Sequence, residues 1–176
     1  KILNINMVIY IFCAFILLNI VLIINQIFNY YQNKKERCYS MSFQAGIDLA
    51  DLPIVTFYQG NKKYNFVLDT GTMGNIIDVN CDLIHTPLEG SDSLITGTSG
   101  DSIAATYSNL SLYYKGKEFK TTTQVTDMSR PFNILKKDTG VTLHGLLGTT
   151  FFKEYSYILD YYNMIAYPKK INKNDN

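Results

Sequence analysis

The sequence predicts a mostly β domain with one late helix, set behind an N-terminal helix that spans a membrane. Three observations lead there. From Ile54 onward, short runs of β-branched and aromatic residues alternate with turns built on Gly, Asn and Lys, the pattern of hairpin-rich β structure. Thr149 to Tyr155 is the one stretch of that region that reads as a helix. Met7 to Ile24 is apolar at every position except Asn19, close to the roughly 20 residues a membrane-spanning helix needs.

Taken in order, residues 1–30 read as a membrane anchor. The apolar run exceeds the roughly 7–15 residues of a signal-peptide core, and no small-x-small cleavage site follows it, so a retained anchor is favoured over a cleaved signal. A buried core helix fits poorly, because the run has no polar face. Lys34, Lys35 and Arg37 follow the run and Lys1 alone precedes it. That count would hold the rest of the chain on the cytoplasmic side, but it rests on one short flank and leaves the side of the membrane open. Residues 31–46 are polar and irregular and read as a linker, 47–168 as the folded domain, and 169–176 as a charged, disordered tail.

Within the domain, Ile54 to Tyr58 is a strand, Gln59 to Lys62 a turn, and Tyr64 to Leu68 the returning arm. Ile76-Ile77 resumes the extended pattern. Ser91 to Asp101 is a loop rich in Gly, Ser and Thr. Leu110 to Tyr114 and Phe119 to Val125 are strands joined at Lys115-Gly116-Lys117, and Lys136 to Gly140 is a basic turn. Tyr157 to Leu159 and Met164 to Tyr167 form a last hairpin.

Chemistry concentrates at Asp69. The buried run Phe66-Val67-Leu68 delivers this carboxylate at its end, and Thr70-Gly71 turn the backbone at once before Ile76-Ile77 resume. A carboxylate in a tight loop between two core strands is an unusual setting for a merely solvated Asp. Phe66-Val67-Leu68-Asp69-Thr70-Gly71 resembles the aspartic peptidases of the single-lobe, retropepsin-like kind, here in a membrane-anchored form of bacterial type. A second match is Gly145-Leu146-Leu147-Gly148, before the late helix. In that family two apolar residues and a Gly at this point pack under the Asp loop. The resemblance spans about Leu52 to Pro168 and implies a single-lobe, acid-protease closed β-barrel with one short C-terminal helix. Thr72 stands where family members most often carry Ala or Ser, and the dimer-forming termini of the retroviral enzymes have no recognisable counterpart.

Peptide hydrolysis by this route takes two carboxylates close enough to share a proton, one acting as base on a water and the other as acid. One lobe supplies one, so the partner is Asp69 of a second copy about a two-fold axis. The resemblance implies a homodimer acting on a peptide or protein substrate, with Asp69, Thr70 and Gly71 at the catalytic centre. Thr70 would hydrogen-bond across the axis. It also makes Gly97, Thr98, Ser99 and Gly100 a mobile substrate-binding flap, although their composition fits an ordinary exposed hairpin loop equally well. A second triplet, Asp138-Thr139-Gly140, is approached by Lys136-Lys137 and reads as an exposed turn outside the catalytic centre.

A formal charge of +1 and no basic stripe interleaved with aromatics set nucleic acid aside. Cys13, Cys38 and Cys81 are widely spaced, and His85 and His144 stand alone, so neither a metal nor a cofactor is expected. The aspartic mechanism has no role for an imidazole, which leaves His144 structural. The rival to an endopeptidase is a catalytically silent retropepsin-like domain used for binding or dimerisation; a β domain with a chance triplet is the third reading.

Overall fold

The structure, a computed structural model, describes residues 5–37, 39–96 and 102–169. It divides into two compact units, up to Cys38 and from Tyr39. The first is one helix, α1 (Ile5–Arg37). Tyr10–Phe28 within it has a mean hydropathy of 2.5 and no buried residue, and is long and apolar enough to cross a membrane. The amide of Asn19, in the middle of the run, donates to the Phe15 carbonyl at 2.7 Å, so its demand for a partner is met inside the helix.

The second unit carries β1 (Met41–Ser42), α2 (Gln44–Ala50), β2 (Ile54–Gln59), β3 (Lys62–Leu68), β4 (Asn75–Asp78), β5 (His85–Thr96), β6 (Ser102–Tyr114), β7 (Lys117–Thr126), α3 (Ser129–Thr139), β8 (Gly145–Leu147), α4 (Thr149–Tyr155), β9 (Tyr157–Asp160) and β10 (Ile165–Pro168). Strands β2-β3-β8-β4-β7-β6 follow one another, and a β2–β6 pairing at Tyr58 and Tyr113 closes them into a six-stranded barrel. β5 extends from β6 as a long hairpin arm. A separate three-stranded sheet runs β1-β10-β9.

The barrel is filled by aromatic rings. Phe57 meets Phe66, Phe119 and Phe151 nearly edge-on, with centroids 5.7–6.3 Å apart, the arrangement that ring quadrupoles favour. Tyr64, Phe66 and Leu68 of β3 point into this core, while Val67 points the other way into a second cluster with Ile54, Phe132 and Leu143. β3 is thus buried on both faces at its end, which is why it reads as an unbroken apolar run.

Several sequence expectations need correction. Among the described residues the domain holds three short helices, not one. α3 occupies the supposed basic turn at Lys136 to Gly140: Phe132 is buried and Leu135 packs against the same cluster, one helical turn apart. Gly140 ends the helix at φ 76°, its N–H bonding the Lys136 carbonyl at 2.8 Å. The linker at 31–46 is also wrong. α1 continues to Arg37, β1 pairs with β10, and Met41 and Phe43 are fully buried, so the folded unit starts at Tyr39 rather than 47. The loop from Ser91 is shorter than expected, because β5 runs to Thr96 and β6 begins at Ser102. Gly97, Thr98, Ser99 and Gly100 lie outside the described residues, as does the tail from residue 170.

Candidate active site

Asp69 leaves the end of β3, and its backbone N–H donates to the Leu147 carbonyl of β8 at 2.9 Å. β8 lies between β3 and β4, parallel to the first and antiparallel to the second. The strand that enters the Asp loop and the strand that leaves it are therefore both laced to the same short strand. That strand is the Leu146-Leu147 pair singled out in the sequence.

The carboxylate is held by its own loop. Gly71 N–H donates to Asp69 Oδ1 at 2.8 Å, and the Thr72 hydroxyl donates to Oδ2 at 2.6 Å. Both bonds fix the plane of the group. A side chain at Gly71 would press on Oδ1 at 3.2 Å, so Gly keeps the approach to the carboxylate open. Asp69 is partly exposed, and Thr70 and Gly71 are exposed beside it. No hydrogen bond of the Thr70 side chain forms within the described residues.

The loop's far side sits on the start of α4. Thr149 N–H donates to the Thr72 carbonyl at 2.8 Å and Thr150 N–H to the Met73 carbonyl at 3.1 Å. The hydroxyls of both threonines add bonds to Met73 O, at 2.8 and 2.9 Å. Any side chain at Gly148 would overlap the carbonyl oxygens of Gly74 and Thr72. This close approach explains the Gly of the second match. Asn75, 2 % exposed, joins the pieces: Gly148 N–H donates to its Oδ1 at 3.0 Å, and its Nδ2 donates to Thr121 Oγ1 and the Thr122 carbonyl at 2.7 and 3.0 Å. The Thr121 hydroxyl in turn donates to Glu154 of α4 at 2.9 Å.

Two open cavities flank the loop. One, of about 480 Å³, has Asp69 and Thr70 at its edge and apolar walls that include Leu52, Val67, Phe132 and Leu146. The other, of about 450 Å³, runs from Thr70 between α4 and β9. A third cavity, about 770 Å³, lies against the β5–β6 arm, with Val79, Leu94, Ala104 and Val125 on its walls, and Asp69 does not line it.

Sequence reasoning reached Asp69, Thr70 and Gly71, and the structure brings them into one loop. It missed the bond from Thr72, read only as a tolerable small residue, and it missed Asn75 altogether. A polar residue opening an apolar strand was the available signal at Asn75. His144 does not join the site. It is half-buried, its Nδ1 accepts the Asn65 N–H at 3.0 Å, and the Tyr64 ring stands edge-on to it at 5.2 Å. Burial holds its pKa below the ordinary imidazole value. Asp138 lies in the last turn of α3, on a different element from the Asp69 loop. Among the described residues no group of three or more His, Cys, Asp and Glu side chains could hold a metal ion. No protein-family model matches the chain, and no curated protein matches it.

Proposed function

We propose that this chain is a membrane-anchored aspartic endopeptidase whose active form is a homodimer, with Asp69 of each copy sharing one water. The observation that carries the reading is the Asp loop itself: a carboxylate at the end of a buried strand, both oxygens held by Gly71 and Thr72, and the loop braced from beneath by β8 and α4. The retropepsin-like resemblance draws support from the closed barrel and from the position of Leu146-Leu147-Gly148 under the loop.

In this mechanism the two carboxylates carry one proton between them, because like charges so close cannot both ionise. The ionised member takes a proton from the water as it attacks the peptide carbonyl. The protonated member donates to the carbonyl oxygen and then helps protonate the leaving nitrogen. The bonds from Gly71 and Thr72 fix the carboxylate before substrate arrives, so little reorganisation accompanies the reaction. The apolar cavity at the edge of Asp69 would take an apolar substrate side chain beside the scissile bond. A membrane tether raises the effective concentration of the partner copy.

The test is hydrolysis of a mixed peptide library by the full chain in detergent, with a pepstatin-type inhibitor as control. Asp69→Asn should lower turnover by roughly a thousandfold or more with the fold retained, and Asp138→Asn should leave it nearly unchanged. In an equal mixture of wild-type and Asp69→Asn subunits, about a quarter of randomly assorted dimers keep both carboxylates, so activity should fall to that fraction. Activity that survives Asp69→Asn refutes the reading.

A further inference from the structure

The cavity of about 770 Å³ against the β5–β6 arm is built by strand register. Asp92 stands opposite Thr106 across the β5–β6 ladder, and Thr106 stands opposite Val125 across the β6–β7 ladder. Residues opposite one another in an antiparallel pair share a face, as do residues two apart along a strand. Leu94 and Ala104, a second opposed pair, therefore join that face, and Asp127 continues the line of Val125 just past the end of β7. The result is a trough. Its floor is formed by the small residues Ala104 and Thr106 of β6, with Leu94 on one side and Val79 on the other. Val79 is tied in place by its N–H, which donates to the Thr126 carbonyl at 2.8 Å.

Walls and corners differ in chemistry. Leu94 is 68 % exposed and Val79 55 % exposed, apolar surface that an occupant would take from water. The corners are two carboxylates set diagonally. Asp92 lies two strand spacings from Val125, and Asp127 two residues beyond it, which puts the two Asp Cα atoms about 12 Å apart. Hydrogen bonds from Ser129, first its hydroxyl and then its N–H, hold the Asp127 carboxyl below the usual carboxylate range. Neither charge is neutralised by a neighbour. Among the described residues the ion pairs are Lys62–Asp82 and Lys120–Glu118, and no Lys, Arg or His lines the cavity.

We propose that this trough binds a linear aliphatic amine with an ammonium group at each end, the chemistry of the longer diamines and polyamines. The methylene chain lies over Ala104 and Thr106, against Leu94 and Val79, and each ammonium meets one carboxylate. An extended chain of eight methylenes holds its two nitrogens about 11 Å apart, close to the span between the corners. A ligand with a single cation fills one corner and leaves the other charge unmet. Exposed ion pairs contribute little one at a time, so selection comes from the apolar floor and the spacing of the charges acting together. The volume is that of a small-molecule site, which runs from roughly 300 to 1,000 Å³. Asp69 does not line this cavity, and the assignment is independent of the peptidase reading.

Isothermal titration of the full chain in neutral detergent micelles, with octamethylenediamine as the probe, tests this. Saturable binding of one diamine per chain is expected. Putrescine, with half the methylenes and too short to reach both corners, should bind at least roughly tenfold more weakly. Asp92→Asn and Asp127→Asn should each weaken octamethylenediamine by roughly threefold to fivefold, with circular dichroism unchanged. Asp127 also accepts the Ser129 N–H at 2.9 Å, so Asp92→Asn is the arm that a change in folding does not mimic. Asp138→Asn removes an exposed carboxylate outside the trough and should leave the affinity as it is. Putrescine binding as tightly as octamethylenediamine, unchanged affinity in either trough variant, or no saturable binding at millimolar diamine overturns the assignment.

Discussion

Removing the residues between Tyr39 and Gln44 should unfold the β domain, although that stretch reads as a polar linker. Met41 and Phe43 are both 0 % exposed and belong to the main core cluster. Truncating a buried Met costs about 2–5 kcal/mol and a buried Phe about 3–5 kcal/mol, so losing both removes roughly 5–10 kcal/mol. Backbone bonds go as well: β1 leaves β10, and Phe43 N–H loses the Met164 carbonyl at 3.0 Å. Tyr39 adds a further tie. Its carbonyl accepts the Tyr157 hydroxyl at 2.8 Å, and its ring lies 5.1 Å from the Lys117 ammonium, which also faces Phe119, Tyr155 and Tyr157. A whole domain has only about 5–15 kcal/mol in hand. A chain beginning at Tyr39 should therefore unfold cooperatively in urea, and one beginning at Ala45 should show no folded baseline at 25 °C. In the full chain, Phe43→Ala should lower the stability of the domain by about 3–5 kcal/mol. If the chain from Ala45 matched the chain from Tyr39 within about 1 kcal/mol, the burial reasoning would be wrong.

Two further outcomes follow from the polar contacts. Asn75→Leu strips the partners from buried Gly148 N–H and the Thr122 carbonyl. It should cost about 2–4 kcal/mol, a fall in melting temperature of roughly 5–15 °C; a change within about 1 °C would mean the site relaxes around the loss. His144 is held neutral by burial, against the opposite pull of Asp82 and Asp78 and alongside Lys136. Its folded pKa lies below the unfolded value, so the unfolded chain takes up the proton first as pH falls. Its contribution is complete above about pH 6.5 and declines as pH falls through the folded pKa, by at most about 1.4 kcal/mol per pH unit. Denaturation at pH 8, 6.5 and 5 should show that decline reduced in His144→Gln; identical pH profiles for the two chains would remove His144 as its source.

What could be read from the sequence was whatever short-range pattern specifies. Phe66 to Leu68 reads as a strand because both faces are buried, and the Gly pinned against the Asp loop, Gly148, stands beside the two leucines that flagged it. β1 was illegible because a two-residue strand has no period to detect, and its partner β10 lies at the other end of the domain. α2 hides its one buried position behind Gly46, where a side chain would collide with Leu52 and Ile54. α3 carries a Pro and two lysines among few apolar residues, and its inward face is set by a cluster drawn from β2, β3 and the segment before β8. β5 reaches further than its composition suggests because an edge strand tolerates Pro87 and a shift of register after it. Asn75 and Thr72 act through groups distant in the chain or through loop geometry, and no local spacing encodes either.

The two Asp-Thr-Gly triplets show why context rather than letters selects the candidate nucleophile-activating group. In the first, the Asp ends a buried strand, so the next N–H to turn, that of Gly71, has its own carboxylate to meet. A Cβ at Gly71 would stand 3.2 Å from Oδ1. In the second, the Asp falls in the last turn of a helix, where backbone groups are already spent on one another. The Thr139 hydroxyl bonds back to the Leu135 carbonyl at 2.8 Å and accepts the Val141 N–H at 3.2 Å, while Gly140 takes the left-handed turn that ends the helix. The same three residues thus serve as a carboxylate cradle after a strand and as a stop signal after a helix. Only the first leaves a carboxylate fixed at an exposed rim, where a second copy could bring its equal. Asp138 belongs to the last turn of α3, a different element from the Asp69 loop. A dyad drawn from two Asp69 loops asks nothing of the monomer fold, which is why the symmetric pair is the reading proposed.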